Sequence, residues 1–308
     1  MLKLLIPIDF SESSTASLRL GFDLAQKIRA EIHVIHCYAP SFLEPYMPLA
    51  LEHALKKARE KEAMEVLQSW LEEQDLRTPQ YTPISYHLLR GKARSLILSY
   101  AKNWMADLII MGTGQTYQIG SLGSTAKHIL SDAEIPLMMI PSGWNLSQIR
   151  SMLYATHTLE EDVQAISRVM DLAELYQAKV ACIQMNPVSH GTYQLEILKQ
   201  AFKQEVEDGK LGFRRVEEED MVNGLLAVLE NQQVDLLAMC KHQKSLWDKW
   251  FGEDNIEKLR KYTPIPIWII SHLTLGKDLH EIKSWNFRRP FAIRYTINPY
   301  FMRSMRHK

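Results

Sequence analysis

A carboxylate and a glycine-rich stretch are the residues of this chain whose types and spacing suit a phosphorylated ligand. Asp9 ends a short apolar run near the start of the chain, and a later apolar run is followed by Gly112, Gly114, Gly120, Gly123, Ser124 and Thr125. Glycines let backbone amides approach a phosphate, and a helix amino terminus adds unpaired N–H groups and a partial positive charge. The pattern predicts a mononucleotide site in which Asp9 accepts hydrogen bonds from ribose hydroxyls. It equally fits an ordinary tight loop with an aspartate that caps the next helix.

Apolar runs that alternate with amphipathic stretches predict the elements that position these residues. Strands are predicted at Leu4–Asp9, Glu31–Tyr38, Ile84–Leu89, Asp107–Met111 and Pro136–Ile140. Helices are predicted from an N-cap at Ser11 to Arg29, over Leu49–Asp75, from Gly91 to Trp104, and from about Ser124. This alternation indicates right-handed crossovers and a parallel sheet covered on both faces. Ligands of such sheets bind outside the carboxyl ends of the strands, where Asp9 and the glycines lie.

The same order of segments recurs in the second half of the chain. RAEIHVIHCY at 29–38 corresponds to QAKVACIQMN at 177–186, ADLIIMG at 106–112 to VDLLAMC at 234–240, and IPLMMI at 135–140 to IPIWII at 265–270. A capping box at Thr158–Glu161 is predicted to open the first helix of the second copy. The repeat predicts α/β domains at 1–143 and 151–272, a linker around 143–149, and a separate C-terminal extension at 273–308.

The segments LIPIDFSESS, LIIMGTG, GSTAKHIL and IPLMMIPSG resemble those of the universal stress protein family, and the two copies resemble its tandem form. The resemblance covers residues 1–143 and, more weakly, 151–272. It implies two open five-stranded parallel sheets of the Rossmann-like, adenine-nucleotide alpha hydrolase-like kind, related by a pseudo-two-fold axis. It also implies that the strands Pro136–Ile140 and Pro266–Ile270 pair with each other, which protects sheet edges that otherwise invite aggregation.

The resemblance further implies a function and a site. Members of one subgroup bind ATP, with Mg²⁺, and the matching positions here are Pro7, Ile8, Asp9, Cys37, Met111, Gly112, Gly114, Gly123, Ser124 and Thr125. The chain is then expected to be a non-enzymatic stress-response or regulatory protein that holds an adenine nucleotide in its first domain. A homodimer formed through domain edges is expected as well.

The loop departs from the family's ATP-binding pattern, which is written G-x2-G-x9-G-[ST]. Here it runs Gly112-x-Gly114-x8-Gly123-Ser124, which is about two residues shorter, with Tyr117 and Gln118 in its middle. A shortened loop can still cradle phosphates or can collapse over the pocket. Two alternatives therefore stay open: a ligand-free scaffold of the same fold, and a slow ATPase.

The second copy lacks the features of a nucleotide site. His157 stands where Asp9 stands in the first copy, the fourth strand ends in Met239-Cys240-Lys241-His242 without a glycine, and QKSLWDKWF at 243–251 is bulky and aromatic. These features favour a structural role. His157, His242 and Cys240 could converge on a zinc ion, but they lack a recognisable ligand spacing, and leftover polar side chains explain them better.

Motifs and charge exclude several other classes. The chain has no GxxxxGK[ST] P-loop and no GxSxG nucleophile elbow, so no dedicated catalytic pair is visible. Its formal net charge is zero, and its three cysteines are far apart in sequence. No apolar run approaches the roughly 20 residues of a membrane span. A cytoplasmic protein with unpaired thiols is expected.

The C-terminal extension differs from the rest in composition. After Glu281 it has no acidic residue and several arginines, interleaved with aromatic residues such as Trp285, Phe291 and Tyr295. Such a segment can bind single-stranded nucleic acid or anionic lipid. We favour a third interpretation, in which it lies on the chain's own net-acidic domains. Together with 243–251, it is also a candidate contact for an unknown protein partner.

Overall fold

The structure is a computed structural model that describes residues 1–40, 46, 48–74, 81–114, 123–144, 149–156, 162–185, 198–216, 221–241, 255, 258–259 and 264–271. These residues fall into two compact units. The described residues within Met1–Ser147 and Lys244–Ile269 form unit 1, and those within Gln148–Gln243 and Ile270–Lys308 form unit 2. Both units are α/β structures with parallel sheets, as the alternation of apolar and amphipathic segments predicts.

Unit 1 is a parallel sheet flanked by helices. Its first five strands are β1 (Leu2–Ile8), β2 (Ala30–Tyr38), β3 (Ile84–Arg90), β4 (Leu108–Gly112) and β5 (Leu137–Ile140). Its helices are α1 (Glu12–Lys27), α2 (Leu49–Glu73), α3 (Ala93–Trp104) and α4 (Ser124–Asp132). The strand order is β3-β2-β1-β4-β5, with all neighbours parallel. The observed bounds lie within two residues of those predicted from the sequence.

Part of a strand from late in the chain, Ile267–Ile269, adds to the sheet of unit 1. β10 (Ile267–Ser271) pairs antiparallel with β5, with Ile267 opposite Met139 and Ile269 opposite Leu137. The predicted pairing of the two fifth strands is thus present. β10 occupies the side of β5 that would otherwise be open.

Burial and capping explain why the central elements form where they do. All five residues of β4 are buried, as expected for a parallel strand covered on both faces. α1 begins after Ser11, whose hydroxyl oxygen accepts a hydrogen bond from the backbone N–H of Ser14 at 3.2 Å. This is the N-cap that the sequence predicts, and it fixes where the chain turns from β1 into α1.

Unit 2 repeats part of this topology. Its strands are β6 (Ser151–Thr156), β7 (Lys179–Met185), β8 (Leu211–Val216) and β9 (Leu236–Lys241), and its helices are α5 (Val163–Tyr176), α6 (Lys203–Glu207) and α7 (Met221–Asn231). The order β9-β6-β7-β8 corresponds to β4-β1-β2-β3 of unit 1, and all neighbours are parallel. The capping box at Thr158–Glu161 lies outside the described residues.

Across the described ranges of the chain, none of the helices has both the length and the apolar composition that a membrane crossing demands.

Candidate functional site

A cavity of about 310 Å³ lies at the carboxyl ends of β1, β2 and β4 in unit 1, beside the first turns of α3 and α4. All ten site residues singled out from the sequence line it: Pro7, Ile8, Asp9, Cys37, Met111, Gly112, Gly114, Gly123, Ser124 and Thr125. This size suits a small-molecule ligand. The fold thus brings four distant segments of the chain together, at the place where parallel sheets bind ligands.

Asp9 follows β1 and uses its two carboxylate oxygens differently. Its Oδ1 accepts hydrogen bonds from the Ser11 N–H at 3.1 Å, from the Ser14 hydroxyl at 2.6 Å and from the Ser11 hydroxyl. Its Oδ2 lies 3.7 Å from the position that a Cβ would take at Gly114. Asp9 is exposed. One oxygen therefore holds the start of α1, while the other lies beside Gly114 and accepts no hydrogen bond from the described residues.

The glycines after β4 are required by the local packing and turn. A Cβ at Gly112 would lie 2.4 Å from the Ser13 hydroxyl oxygen and 2.7 Å from the Ser13 carbonyl carbon. Gly114 has a φ of +82°, in the left-handed region that favours glycine. The end of β4 therefore packs directly on the first turn of α1, and both glycines have a structural reason that needs no ligand.

No side chain among the described residues caps the amino terminus of α4. Gly123 occupies the N-cap position, and the first turn contains no acidic residue. The Gly123 N–H donates to the carbonyl oxygen of Thr113 at 2.9 Å, which joins the helix start to the end of β4. Ser124, Thr125 and Ala126 then line the cavity. The first-turn N–H groups and the partial positive charge of the helix end are therefore available to an anion.

Seven lining residues were not among those chosen from the sequence: Ser14, Ile35, His36, Ala93, Ile97, Thr113 and Ala126. Ile35, Ala93 and Ile97 form an apolar wall from β2 and α3. The Ser11-x-x-Ser14 spacing beside Asp9 was a sequence signal for Ser14. The sequence contains no comparable signal for the apolar wall, because an isoleucine in a strand or helix is equally expected in a hydrophobic core that binds no ligand.

His36 is fixed at the rim of the cavity by one hydrogen bond and one ring contact. Its Nδ1 lies 3.0 Å from the carbonyl oxygen of Ile8, and because a carbonyl only accepts, Nδ1 carries the proton. Its ring centroid is 4.3 Å from that of Phe10. Phe10 in turn meets Trp70 of α2 at 5.6 Å with the rings edge to face. This stack attaches α2 to the strand ends that line the cavity.

Cys37 does not provide a reactive thiolate. Burial raises the pKa of its thiol to about 11, so the side chain is protonated at neutral pH. Cys37 therefore contributes shape to the cavity rather than a nucleophile.

Metal ligands do not converge within the parts of the chain that the structure describes: no group of three His, Cys, Asp or Glu side chains there suits a metal ion. The zinc alternative cannot be placed, because His157 and His242 lie outside the described residues. Gly120, Tyr117 and Gln118, the aromatic segment 243–251 and the extension 273–308 also lie outside them.

The strand ends of unit 2 carry buried polar side chains. Thr156, at the end of β6, donates from its hydroxyl to the carboxylate of Asp162, and both residues are buried. Tyr154 and Gln184 are buried beside them on β6 and β7, and burial raises the pKa of Tyr154 well above its usual range. The end of β6 in unit 2 thus carries an internal hydrogen bond, while His157, the counterpart of Asp9, lies outside the described residues.

Comparison with known proteins finds relatives of the first part of the chain. The model of the universal stress protein family matches residues 1–141. A universal stress protein of Methanocaldococcus jannaschii is 27% identical over 146 residues, which are 45% of this chain and 81% of that protein. One from Thermus aquaticus is 28% identical over 142 residues, which are 44% of this chain and 96% of that protein.

A likeness in fold extends over most of the chain. The crystal structure of a universal stress protein from Archaeoglobus fulgidus superposes with a TM-score of 0.62 at 15% sequence identity, covering 87% of this chain and 96% of that one. At this identity the likeness shows the fold alone. Residues 1–141 therefore match the universal stress protein family, and the length of the chain, about twice that of a single domain, fits the tandem form.

Proposed function

We propose that the cavity of unit 1 binds an adenine nucleotide, ATP with Mg²⁺, and that the protein acts as a non-enzymatic regulatory or stress-response protein. The observation that carries the proposal is the convergence of three features on one cavity. These are the amino terminus of α4 and the Asp9 Oδ2, neither of which is hydrogen-bonded by a side chain among the described residues, and the apolar wall of Ile35, Ala93 and Ile97.

Each feature suits one part of a nucleotide. The N–H groups and hydroxyls of Ser124 and Thr125 suit phosphate oxygens. The Asp9 Oδ2 suits a ribose hydroxyl, which donates to a carboxylate. The apolar wall suits the base. Mg²⁺ would be held by phosphate oxygens and water, as it commonly is at nucleotide sites.

Two of the described side chains in the cavity support a non-enzymatic role. The Asp9 Oδ1 already accepts three hydrogen bonds, and the Cys37 thiol is protonated. Neither is positioned as an activated nucleophile or as a general base with a partner. The ligand-free scaffold is the competing function, because the structural roles of Asp9 and Gly112 account for both residues without a nucleotide.

Calorimetric titration of Mg·ATP into nucleotide-stripped protein tests the proposal. We expect saturation near one site per chain, weakened about tenfold by Asp9→Asn, because the substitution keeps an acceptor at Oδ1 and replaces the Oδ2 acceptor by a donor. The control is Asp132→Asn, which removes a carboxylate at the opposite end of α4. Its affinity should equal that of the wild type.

Absence of heat and of a thermal shift at millimolar ATP would contradict nucleotide binding and favour the scaffold. Binding that is equally weakened by both substitutions would show that Asp9 has no specific role. Phosphate release measured on the same samples separates the third possibility: turnover that is lost in Asp9→Asn would identify a slow ATPase.

A further inference from the structure

A cluster of aromatic side chains, three of them titratable, lies between the β2–β3 edge of unit 1 and α3, and none of the four lines the cavity. The His33 ring stacks on Trp104, with centroids 3.7 Å apart and an interplanar angle of 14°. The His33 Nδ1 lies 2.8 Å from the Tyr100 hydroxyl oxygen, and the His87 ring centroid is 4.6 Å from that of His33. The four residues, called the histidine cluster below, are His33, His87, Tyr100 and Trp104.

The surroundings of His33 disfavour its protonated form. Burial, followed by the neighbouring His87 and by Lys3, lowers the pKa of His33, while Glu31 opposes them with its Oε1 3.3 Å from the His33 Nε2. The Lys3 ammonium lies 5.5 Å from the Trp104 ring and donates to the Trp104 carbonyl oxygen at 3.0 Å. Among the described residues, the charged and titratable groups that face His33 come from four elements: Lys3 from β1, Glu31 from β2, His87 from β3 and Tyr100 from α3.

Protonation of His33 conflicts with the hydrogen bonds of the cluster. In the neutral ring, Nε2–H donates to Glu31 and Nδ1 accepts from the Tyr100 hydroxyl. An imidazolium has two donors and no acceptor. The hydrogen bond to Tyr100 must therefore reverse, and the Tyr100 hydroxyl proton needs a new acceptor. The new charge also lies beside His87, whose Nε2 is buried without a hydrogen-bond partner in the described part of the chain.

α3 connects this cluster to the cavity. Ala93 and Ile97 in its first turns form part of the apolar wall. Tyr100 and Trp104 follow Ile97 at helical spacing, so they lie on a neighbouring part of the same helix face. A change that weakens the seating of Tyr100 and Trp104 on β2 therefore moves the wall as well.

We propose that the histidine cluster is a proton-sensitive contact that couples acid pH to the cavity of unit 1 through α3. The inference rests on the proposed function, because the ligand concerned is the nucleotide of that cavity. The seated α3 requires a neutral His33. Protonation therefore lowers the population of the binding-competent arrangement, and the apparent affinity falls with it.

The first test compares Mg·ATP affinity at about pH 7.5 and about pH 5.5 in the wild type, His33→Gln and His53→Gln. The glutamine amide can donate to Glu31 and accept from Tyr100 without titrating. His53 is an exposed histidine of α2 and is the matched control. The terminal phosphate of ATP also gains a proton in this range, and this affects all three proteins alike. The informative quantity is therefore the factor by which acidification weakens Mg·ATP binding, compared between the wild type and each variant.

We expect acidification to weaken binding about tenfold more in the wild type and in His53→Gln than in His33→Gln. Equal weakening in all three proteins overturns the proposal. Tyr100→Phe is a second variant, in case His33→Gln does not fold. It removes the hydrogen bond that must reverse, so its pH dependence should be smaller than that of the wild type.

The second test needs no nucleotide. Hydrogen exchange of the α3 amides, corrected for intrinsic pH dependence, should show an opening of α3 that rises about tenfold on acidification in the wild type and not in His33→Gln. If Mg·ATP binds to none of the proteins, the proposed function fails. The hydrogen exchange of the α3 amides then tests by itself whether protonation of His33 opens α3. An α3 protection in the wild type that does not change with pH overturns it.

Discussion

At the scale of single residues, Asp9 serves the fold and the cavity at once. Its Oδ1 holds the Ser11 and Ser14 groups that start α1, and its Oδ2 faces the glycine segment. The two interpretations that its sequence position allowed, a helix cap and a ligand acceptor, are therefore compatible. A substitution at Asp9 must preserve the first role if it is to report on the second.

Gly112 provides a prediction at this scale. Replacement by alanine puts a Cβ 2.4 Å from the Ser13 hydroxyl oxygen and 2.7 Å from its carbonyl carbon. Backbone has to shift, so we expect Gly112→Ala to lower the free energy of unfolding by about 2 kcal/mol, as overpacking does. Urea unfolding followed by circular dichroism measures this.

The matched control is Gly212→Ala in β8, where a Cβ would meet no atom within 4 Å. This change should leave stability unaltered or raise it by about 0.5 kcal/mol, since alanine costs less backbone entropy in a strand. Equal effects at the two glycines would show that the close approach of β4 to α1 does not limit stability.

The site was predictable from the sequence where chemistry leaves a local signature. Asp9 after an apolar run, and glycines followed by Ser124 and Thr125, stood out by type and spacing. The apolar wall did not, because Ile35 and Ile97 become part of a cavity only when β2 and α3 are placed in space. The histidine cluster, for the same reason, has no sequence pattern.

At the scale of elements, the strands and most helices followed from the sequence because burial dictates their composition. A central parallel strand such as β4 is apolar throughout, so its limits coincide with a run of apolar residues. α2 differs. Within Leu49–Glu73, Leu67 is the one buried residue, and Leu51 is 53% exposed.

The C-terminal end of α2 contacts the rest of unit 1 through two side chains. Trp70 packs edge to face on Phe10, and the Gln74 side chain accepts a hydrogen bond from the Thr15 hydroxyl at 2.8 Å. We expect Trp70→Ala to lower the free energy of unfolding by about 2 kcal/mol, less than a fully buried tryptophan would. Leu51→Ala, the control on the exposed half, should change it by less than about 0.5 kcal/mol.

Chemical denaturation of the two α2 variants, with the wild type alongside, measures these effects. A large loss of unfolding free energy in Leu51→Ala would contradict the exposure of the amino-terminal half of α2 in the free protein. A negligible loss for Trp70→Ala would show that the aromatic stack does not hold α2 in place.

At the scale of the whole chain, sequence order and spatial grouping differ. The repeat predicts continuous domains at 1–143 and 151–272, and these ranges remain predictions. In the structure, Ile267–Ile269 of β10, from the second half of the sequence, pair with β5 and belong with unit 1. The side of β5 is therefore already occupied, so a homodimer formed through the edge of unit 1 would use β3.

A fragment of residues 1–143 tests the importance of this pairing. It lacks β10 and leaves the backbone N–H and C=O groups of Leu137–Met139 unpaired along one side. We expect the fragment to self-associate, because an open apolar edge strand recruits another strand. Light scattering after size exclusion measures its mass. Met138→Lys in the fragment should reduce association, and a monomeric fragment would contradict the prediction.

The pairing of β5 with β10 also has a consequence for synthesis. Translation proceeds at roughly 5–20 residues per second, so several seconds pass on the ribosome between the appearance of Ile140 and that of Ile267. During this interval one side of β5 has no partner strand. Nascent chains on neighbouring ribosomes expose the same unpaired side. Expression at high ribosome density therefore favours the exchange of strands between chains, and slower initiation favours closure within one chain.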